Sequence, residues 1–334
     1  MRPTQRQFHG PLAGQLRSFA AAMERTGGSH AALFLILQRL DGFLAAQHPD
    51  LTHLSRAVLH EWFASFAHLR PASQSRYRSA AFQLCKYLAR QDPRTACLED
   101  FAPVRLDHSF RAHIFSVEEV TLLLTTARAQ TPRPSPLRPQ TLELIVAILY
   151  CAGLRIGEVV RLDVGDYDPA EGTLCIRHTK FDKSRLVPLS GSCQRLIASY
   201  LQRRAALGLD NGPATPLIWP LRGLQPHRAS LASVQSALVH LMGRCGIRGP
   251  TGSGPRIQDM RHSFATHRVR QWYREGVDVP SHLPHLSTYM GHRGIESTQH
   301  YLQVLPGVLE EASPRFACFA GVGPDEKQVG HDQP

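Results

Sequence analysis

The sequence predicts a mainly α-helical protein with one small antiparallel β-sheet, built as an N-terminal helical domain followed by an α+β domain. Three observations predict it. Apolar residues recur at helical spacing through residues 12–95. The period changes to short strand-like runs only between Asp163 and Leu189. At 334 residues with 43% apolar content, the chain is too long for one ordinary core and apolar enough for two.

In the first domain, residues 12–95, the run Ala31 to Leu37 continues through Leu40, Phe43 and Leu44 on helical spacing. Val58 to Phe66 repeats that pattern. Ser73 to Leu88 places Tyr77, Ala81, Leu84, Cys85 and Leu88 on one face and Arg76, Arg78 and Lys86 on the other, with Arg90 just beyond. Arg70 and Arg94 flank it, and only Asp92 opposes these charges locally. Such a face is commonly just solvated. Arginines set among small residues, as in Ser75-Arg76-Tyr77-Arg78-Ser79, also suit a helix lying along a nucleic-acid backbone.

Residues 96–113 are mixed in character, include Pro103, and read as a linker. Ser116-Val117-Glu118-Glu119 is a capping-box start ahead of an apolar run, so a second domain opens there and extends over 114–312. Four prolines within 131–139 argue against regular structure, and a helix follows from Thr141 to Leu154. Thr173 to His178 and Ser184 to Leu189 read as short strands joined by a turn at Lys180 to Lys183. Pro188 confines the second to an edge or a strand end. Pro213 to Arg228 reads as loop and Leu231 to Cys245 as helix. Gly249 to Pro255 is glycine-rich but lacks the Gly-Lys-Ser/Thr ending of a phosphate loop. The end of the chain, 313–334, is polar in its last residues and rich in Gly and Pro, and reads as a partly disordered tail.

The net charge is +11, supplied mostly by arginine. That balance favours a polyanionic partner, because guanidinium forks match phosphate oxygens. The seven cysteines are scattered, with no C-x-x-C pair. This is thiol usage of a reducing cytosol, and Cys151 and Cys175 read as core. Nothing after Met1 resembles a signal peptide. The longest apolar run, Leu144 to Leu154, is too short to span a bilayer. His282-Leu283-Pro284-His285 lacks a third ligand in register for zinc, and no nucleophile-elbow motif accompanies the Ser, His and Asp residues. No metal or cofactor is expected.

Chemistry concentrates in four segments. Arg155 closes the apolar run within Gly153-Leu154-Arg155-Ile156-Gly157-Glu158. Read alone, it is the ion-pair partner of Glu158, one turn away. Lys180 lies in the inter-strand turn, with Lys183 close by. Arg261 lies in Gln258-Asp259-Met260-Arg261-His262-Ser263-Phe264-Ala265-Thr266. His292 ends Tyr289-Met290-Gly291-His292, and Tyr301 follows nine residues later.

In order and local context these segments resemble the tyrosine recombinase (phage integrase) family, which cuts and rejoins DNA. The resemblance is strong over 114–305 and weaker over 12–95. It implies that 12–95 is a core-DNA-binding domain, contacting DNA through Arg76, Arg78, Lys86 and Arg90, and that 114–312 is the catalytic domain. It implies that Arg155 and Arg261 grip one phosphate, that Glu158 holds Arg155, and that His262 supports the site. By the same resemblance Lys180, with Lys183 as the runner-up, protonates the departing 5′ oxygen, His292 hydrogen-bonds the phosphate, and Tyr301 attacks it. Gln258 departs from the family pattern, which has histidine there. Its amide can hydrogen-bond but cannot accept a proton at neutral pH.

Double-stranded DNA is the implied partner, with self-association into a tetramer on paired sites and accessory DNA-bending proteins as further candidates. The apolar segment Leu302 to Phe319 would dock on a neighbouring protomer or on its own domain. A cytoplasmic, nucleoid-associated location follows. Two alternatives stay open. One is a DNA-binding relative impaired in cleavage, and the other is a nicking-closing topoisomerase.

Overall fold

A computed structural model describes residues 8–25, 30–95, 112–132, 135–177, 184–223, 227–250 and 252–291. The described residues fall into two compact units, one ending at Thr95 and one beginning at Ala112. Lys180, Lys183, His292, Tyr301, most of the 96–113 segment, Leu302 to Phe319 and the tail 313–334 lie outside the described residues.

The first unit holds four helices among the described residues: α1 (Ala13–Arg25), α2 (Ala31–Gln47), α3 (Arg56–Ser65) and α4 (Pro71–Leu88). Their apolar faces meet in one core that includes Leu16, Phe19, Leu40, Leu59, Trp62 and Leu84. Ser55 caps α3 by accepting from the Val58 N–H. The α1 entry is fixed by the buried Asp41, whose carboxylate accepts from the backbone N–H groups of His9 and Gly10 at 2.7 and 3.0 Å.

The second unit begins with α5 (Val117–Arg128), and the capping box forms as the sequence predicts. Ser116 Oγ accepts from the Glu119 N–H, and the Glu119 carboxylate accepts from the Ser116 N–H. Helix α6 (Arg138–Cys151) starts three residues earlier than the proline run suggests. Pro139 lies in its first turn, where a missing N–H costs nothing. The helix is buried nearly all round, from Leu142 to Leu149, and it forms the centre of the unit's core.

A short α7 (Ile156–Arg161) leads into a sheet of strands β1 (Tyr167–Asp168), β2 (Thr173–Ile176) and β3 (Arg185–Pro188). The strands are antiparallel in the order β1-β2-β3, with Leu174 opposite both Tyr167 and Val187. Helices α8 (Gly191–Ala206), α9 (Leu231–Arg244), α10 (Gln258–Glu275) and α11 (Val279–Met290) complete the described unit.

The fold class is the one the sequence predicts, with two additions. β1 is only two residues long, below what periodicity detects. Helix α8 occupies an interval in which the sequence suggests no element. It is anchored by Arg204, which is fully buried and donates to the carbonyls of Pro216, Leu217 and Asp210. The guanidinium lies 4.9 Å from the Trp219 ring centroid. Among the described residues, no helix is long and apolar enough to cross a membrane.

Candidate active site

Three segments distant in sequence meet at the C-terminal end of α11. That helix stops at Gly291, whose φ of +67° is the left-handed cap geometry. The Gly291 N–H satisfies the carbonyls of Ser287 and Thr288. The next three carbonyls would be left without partners at a helix end. Each is taken by an arginine. Arg185 Nε donates to Tyr289 at 2.8 Å, Arg261 Nη2 to Met290 at 2.5 Å, and Arg155 Nη2 to Gly291 at 3.3 Å. Cations at the negative end of a helix are also favoured by its dipole.

Each arginine arrives there for a local reason. Helix α6 ends because Gly153 turns the chain at φ +59°, and a Cβ at that position would overlap the Phe264 ring. The turn releases Arg155 to start α7 in extended conformation. Glu158 accepts from the Arg155 backbone N–H at 3.0 Å and from Arg155 Nη1 at 3.0 Å. An arginine has no acceptor, so all the capping at this end runs from Arg155 to Glu158. Arg261 sits on the buried face of α10 at 1% exposure. It also donates to the Gly153 carbonyl at 2.6 Å, which ties α10 to the turn before α7. Ser263, two residues on, accepts from the Phe115 N–H at 2.8 Å and donates to the Asp259 carbonyl. That bond fixes the entry of the unit against α10. We expect Gly153→Ala to lose roughly 1–2 kcal/mol from the left-handed backbone alone, with ring displacement in addition. The midpoint of thermal unfolding then falls by at least about 2 °C, and an unchanged midpoint would contradict this origin of the turn.

The sequence-predicted residues divide as follows. Arg155, Glu158 and Arg261 are brought together. Gln258 is the first residue of α10, one turn before Arg261, and is exposed. Among the described residues its amide makes no hydrogen bond. His262 is half-buried beside Arg261 on α10. In the first unit, Arg76, Lys86 and Arg90 are exposed. Arg78 differs, because its guanidinium lies 5.0 Å from the Phe63 ring centroid and it is half-buried. Cys151 is exposed rather than core, because it falls in the last turn of α6 where the buried run has ended. Cys175 is half-buried.

Arg185 is the residue that the sequence reading passes over. It takes both oxygens of Glu158, with Nη1 to Oε1 at 3.2 Å and Nη2 to Oε2 at 2.9 Å. Burial alone would raise the Glu158 carboxyl. The hydrogen bonds and charge of Arg185, followed by those of Arg155, outweigh burial and hold it below its ordinary 4.5. A carboxyl depressed in the folded state contributes stability above the ordinary carboxylate range and loses it as pH falls. Two guanidiniums on one carboxylate, with Arg261 at the same helix end, leave the cluster positive, as an anion site requires. An adjoining cleft of about 380 Å³ is lined by Arg161, Asp163, Asp166, Arg177 and Arg228 among others. There Arg177 pairs with Asp166 and Arg228 with Asp163, each at 2.6 Å.

Tyr289 also lies in this region. Its ring stacks on Phe264 at 5.4 Å, and its hydroxyl donates to the Pro188 carbonyl at 3.3 Å. Burial pushes its phenol up to about 12. It is a packing residue with a tethered hydroxyl, poorly suited to ionise.

A mainly helical unit around a small three-stranded sheet, with Arg155 and Arg261 at one helix end, has the fold of a tyrosine recombinase catalytic domain. The model of the phage integrase family matches residues 114–307, more than half of the chain, and the protein belongs to that family. It is similar to y4rB of Sinorhizobium fredii, named as an integrase/recombinase, at 34% identity over 80% of this chain and 85% of y4rB. It is similar to the tyrosine recombinase XerC of Pelobacter propionicus at 27% identity, over 91% and 97% of the two chains. Among solved structures, the XerH site-specific recombinase bound to palindromic difH substrate shares the fold. The TM-score is 0.62 at 18% identity, over 85% of this chain and 78% of that one.

Proposed function

We propose that this protein is a site-specific recombinase that cuts and rejoins DNA strands through a 3′-phosphotyrosyl intermediate. The observation that carries the reading is the convergence of Arg155 and Arg261 on one helix end, next in sequence to Gly291-His292. Arg155 is 40% exposed at its side chain, so it is open to a ligand. Arg261 is buried and held from two sides. The pair would grip the scissile phosphate and stabilise the charge that builds on it during attack.

In this reading the Tyr301 phenol gives its proton to water and its oxygen attacks phosphorus. The bond to the 5′ oxygen breaks, Lys180 gives that oxygen a proton, and the phosphate stays joined to Tyr301. The 5′ hydroxyl of another strand then attacks phosphorus, and Tyr301 leaves. His292 hydrogen-bonds a phosphate oxygen, and His262 supports Arg261. Gln258 would offer its amide to the phosphate or the tyrosine hydroxyl. Lacking a base there forgoes help worth ~10²–10⁴-fold in rate. The arginines and lysine supply the positive charge, so the reaction needs no metal.

Incubated in EDTA with a nicked suicide substrate, the full chain should form a protein–DNA adduct stable to denaturant. A strict Mg²⁺ requirement would overturn the mechanism. Gln258 is the observation favouring a second reading, a DNA-binding relative impaired in cleavage. A chain that binds its site without cleaving, while Gln258→His cleaves, would establish that reading.

The helical unit, 12–95, is proposed as the core-DNA-binding domain and 114–312 as the catalytic domain. Tetramer assembly on DNA, a nucleoid location and accessory bending proteins belong to the same proposal. Arg76 and Lys86 are exposed on α4, a helix without a single acidic residue, and Arg90 is exposed two residues past its end. Each one removed should flatten the log K against log[salt] slope by roughly 0.9. Arg78, laid on Phe63, should change it less. Equal slopes across the exposed variants and wild type would return that face to ordinary solvation.

A further inference from the structure

We propose that Arg185 is a positioning residue for Arg155: by taking both oxygens of Glu158, it leaves the Arg155 guanidinium charge available to a phosphate. The inference rests on the strand-transfer reading for the identity of that phosphate. Its geometry is independent of it.

Glu158 carries one negative charge and is 3% exposed at its side chain. Two arginines compete for it. Arg185 makes a two-pronged contact through separate nitrogens to separate oxygens, and is itself only 11% exposed. Arg155 makes one side-chain bond to Oε1, and its backbone N–H serves Oε2. The fork of Arg185 is the stronger arrangement for a carboxylate. An Arg155–Glu158 pair without Arg185 would be closed and neutral, with little to offer an incoming anion. With Arg185 present, the triad carries one net positive charge, and that charge sits on the partner that faces solvent.

The third contact of Arg185 explains why it is sited on β3. Its Nε donates to the Tyr289 carbonyl, so one side chain joins β3, the glutamate of α7 and the end of α11. Gly291 completes the fit. A Cβ at that position would lie 2.9 Å from Arg185 Nη1, so any other residue there would push the guanidinium from its place.

The test uses the full chain and five proteins: wild type, Arg185→Gln, Arg185→Lys, Glu158→Gln and the Arg185→Gln/Glu158→Gln double variant. Single-turnover cleavage of a nicked suicide substrate should slow roughly tenfold to a hundredfold in Arg185→Gln, the range expected for a lost charge-assisted interaction. Removing the carboxylate as well should restore part of that rate, because nothing then neutralises Arg155. A merely structural role predicts the opposite, a double variant no faster than its slower parent. Arg185→Lys keeps the charge without the fork and should fall between wild type and Arg185→Gln.

Inorganic phosphate titrated into the same proteins, followed by ³¹P line broadening, separates this inference from the reading beneath it. Affinity should fall in Arg185→Gln and recover in the double variant, whether or not DNA is cut. That order without any wild-type DNA adduct would remove the strand-transfer reading and keep the role of Arg185. Arg185→Gln matching wild type in both measurements, or a double variant as weak as Arg185→Gln, would overturn the proposal.

Discussion

Arg261→Ala should lose strand cleavage by roughly 10²–10³-fold or more, the cost of deleting one donor aimed at developing charge. Affinity for the DNA site should change far less, since many phosphate contacts share it. Two effects act together. The phosphate loses the guanidinium proposed to grip it, and two carbonyls, Gly153 and Met290, lose their donors in a buried place. Each unsatisfied carbonyl costs ~1–3 kcal/mol, so thermal unfolding must be followed in parallel. Arg261→Lys is the control. It keeps a charge, but its compact ammonium cannot serve carbonyls on two elements as a guanidinium fork does. Folded Arg261→Ala cleaving near the wild-type rate would remove Arg261 from the chemistry.

Tyr301→Phe should abolish the covalent adduct outright, because phenylalanine has no oxygen with which to hold the phosphate. DNA affinity should stay close to wild type. The informative partner is Tyr289→Phe. Tyr289 lies beside the arginine cluster, with its carbonyl taken by Arg185, yet it stacks on Phe264 and its phenol is pushed up to about 12. Deleting that hydroxyl should leave adduct formation nearly intact. The reverse pattern, an adduct in Tyr301→Phe and none in Tyr289→Phe, would move the nucleophile to α11.

Much of the fold is legible in the sequence wherever one periodicity dominates. The capping box at Ser116 and Glu119 marks the start of α5, because side-chain reach alone fixes that pattern. The start of α6 is misplaced by reading prolines as breakers, when the first turn of a helix accepts them. Helix α8 is missed because a polar stretch with several arginines conceals a core contribution from Arg204, which no hydrophobicity pattern assigns to the interior.

The site follows the same rule. Arg155, Glu158 and Arg261 are legible because their neighbours form recognisable motifs. Arg185 is not, because β3 inverts the usual alternation. Leu186 is 66% exposed while Arg185 turns inward. A strand reading that places apolar residues inside puts those two side chains on the wrong faces. Only the buried carboxylate of Glu158, supplied by α7, makes an inward arginine favourable.

Which atom carries the cleaved DNA tests the proposed mechanism most directly. The full chain, trapped on a nicked suicide substrate in EDTA, should be digested and its DNA-linked peptide identified by mass spectrometry. A 3′-phosphate joined to the phenolic oxygen of Tyr301 is expected. An adduct on any other residue, or cleavage that leaves no covalent protein–DNA link, would contradict it.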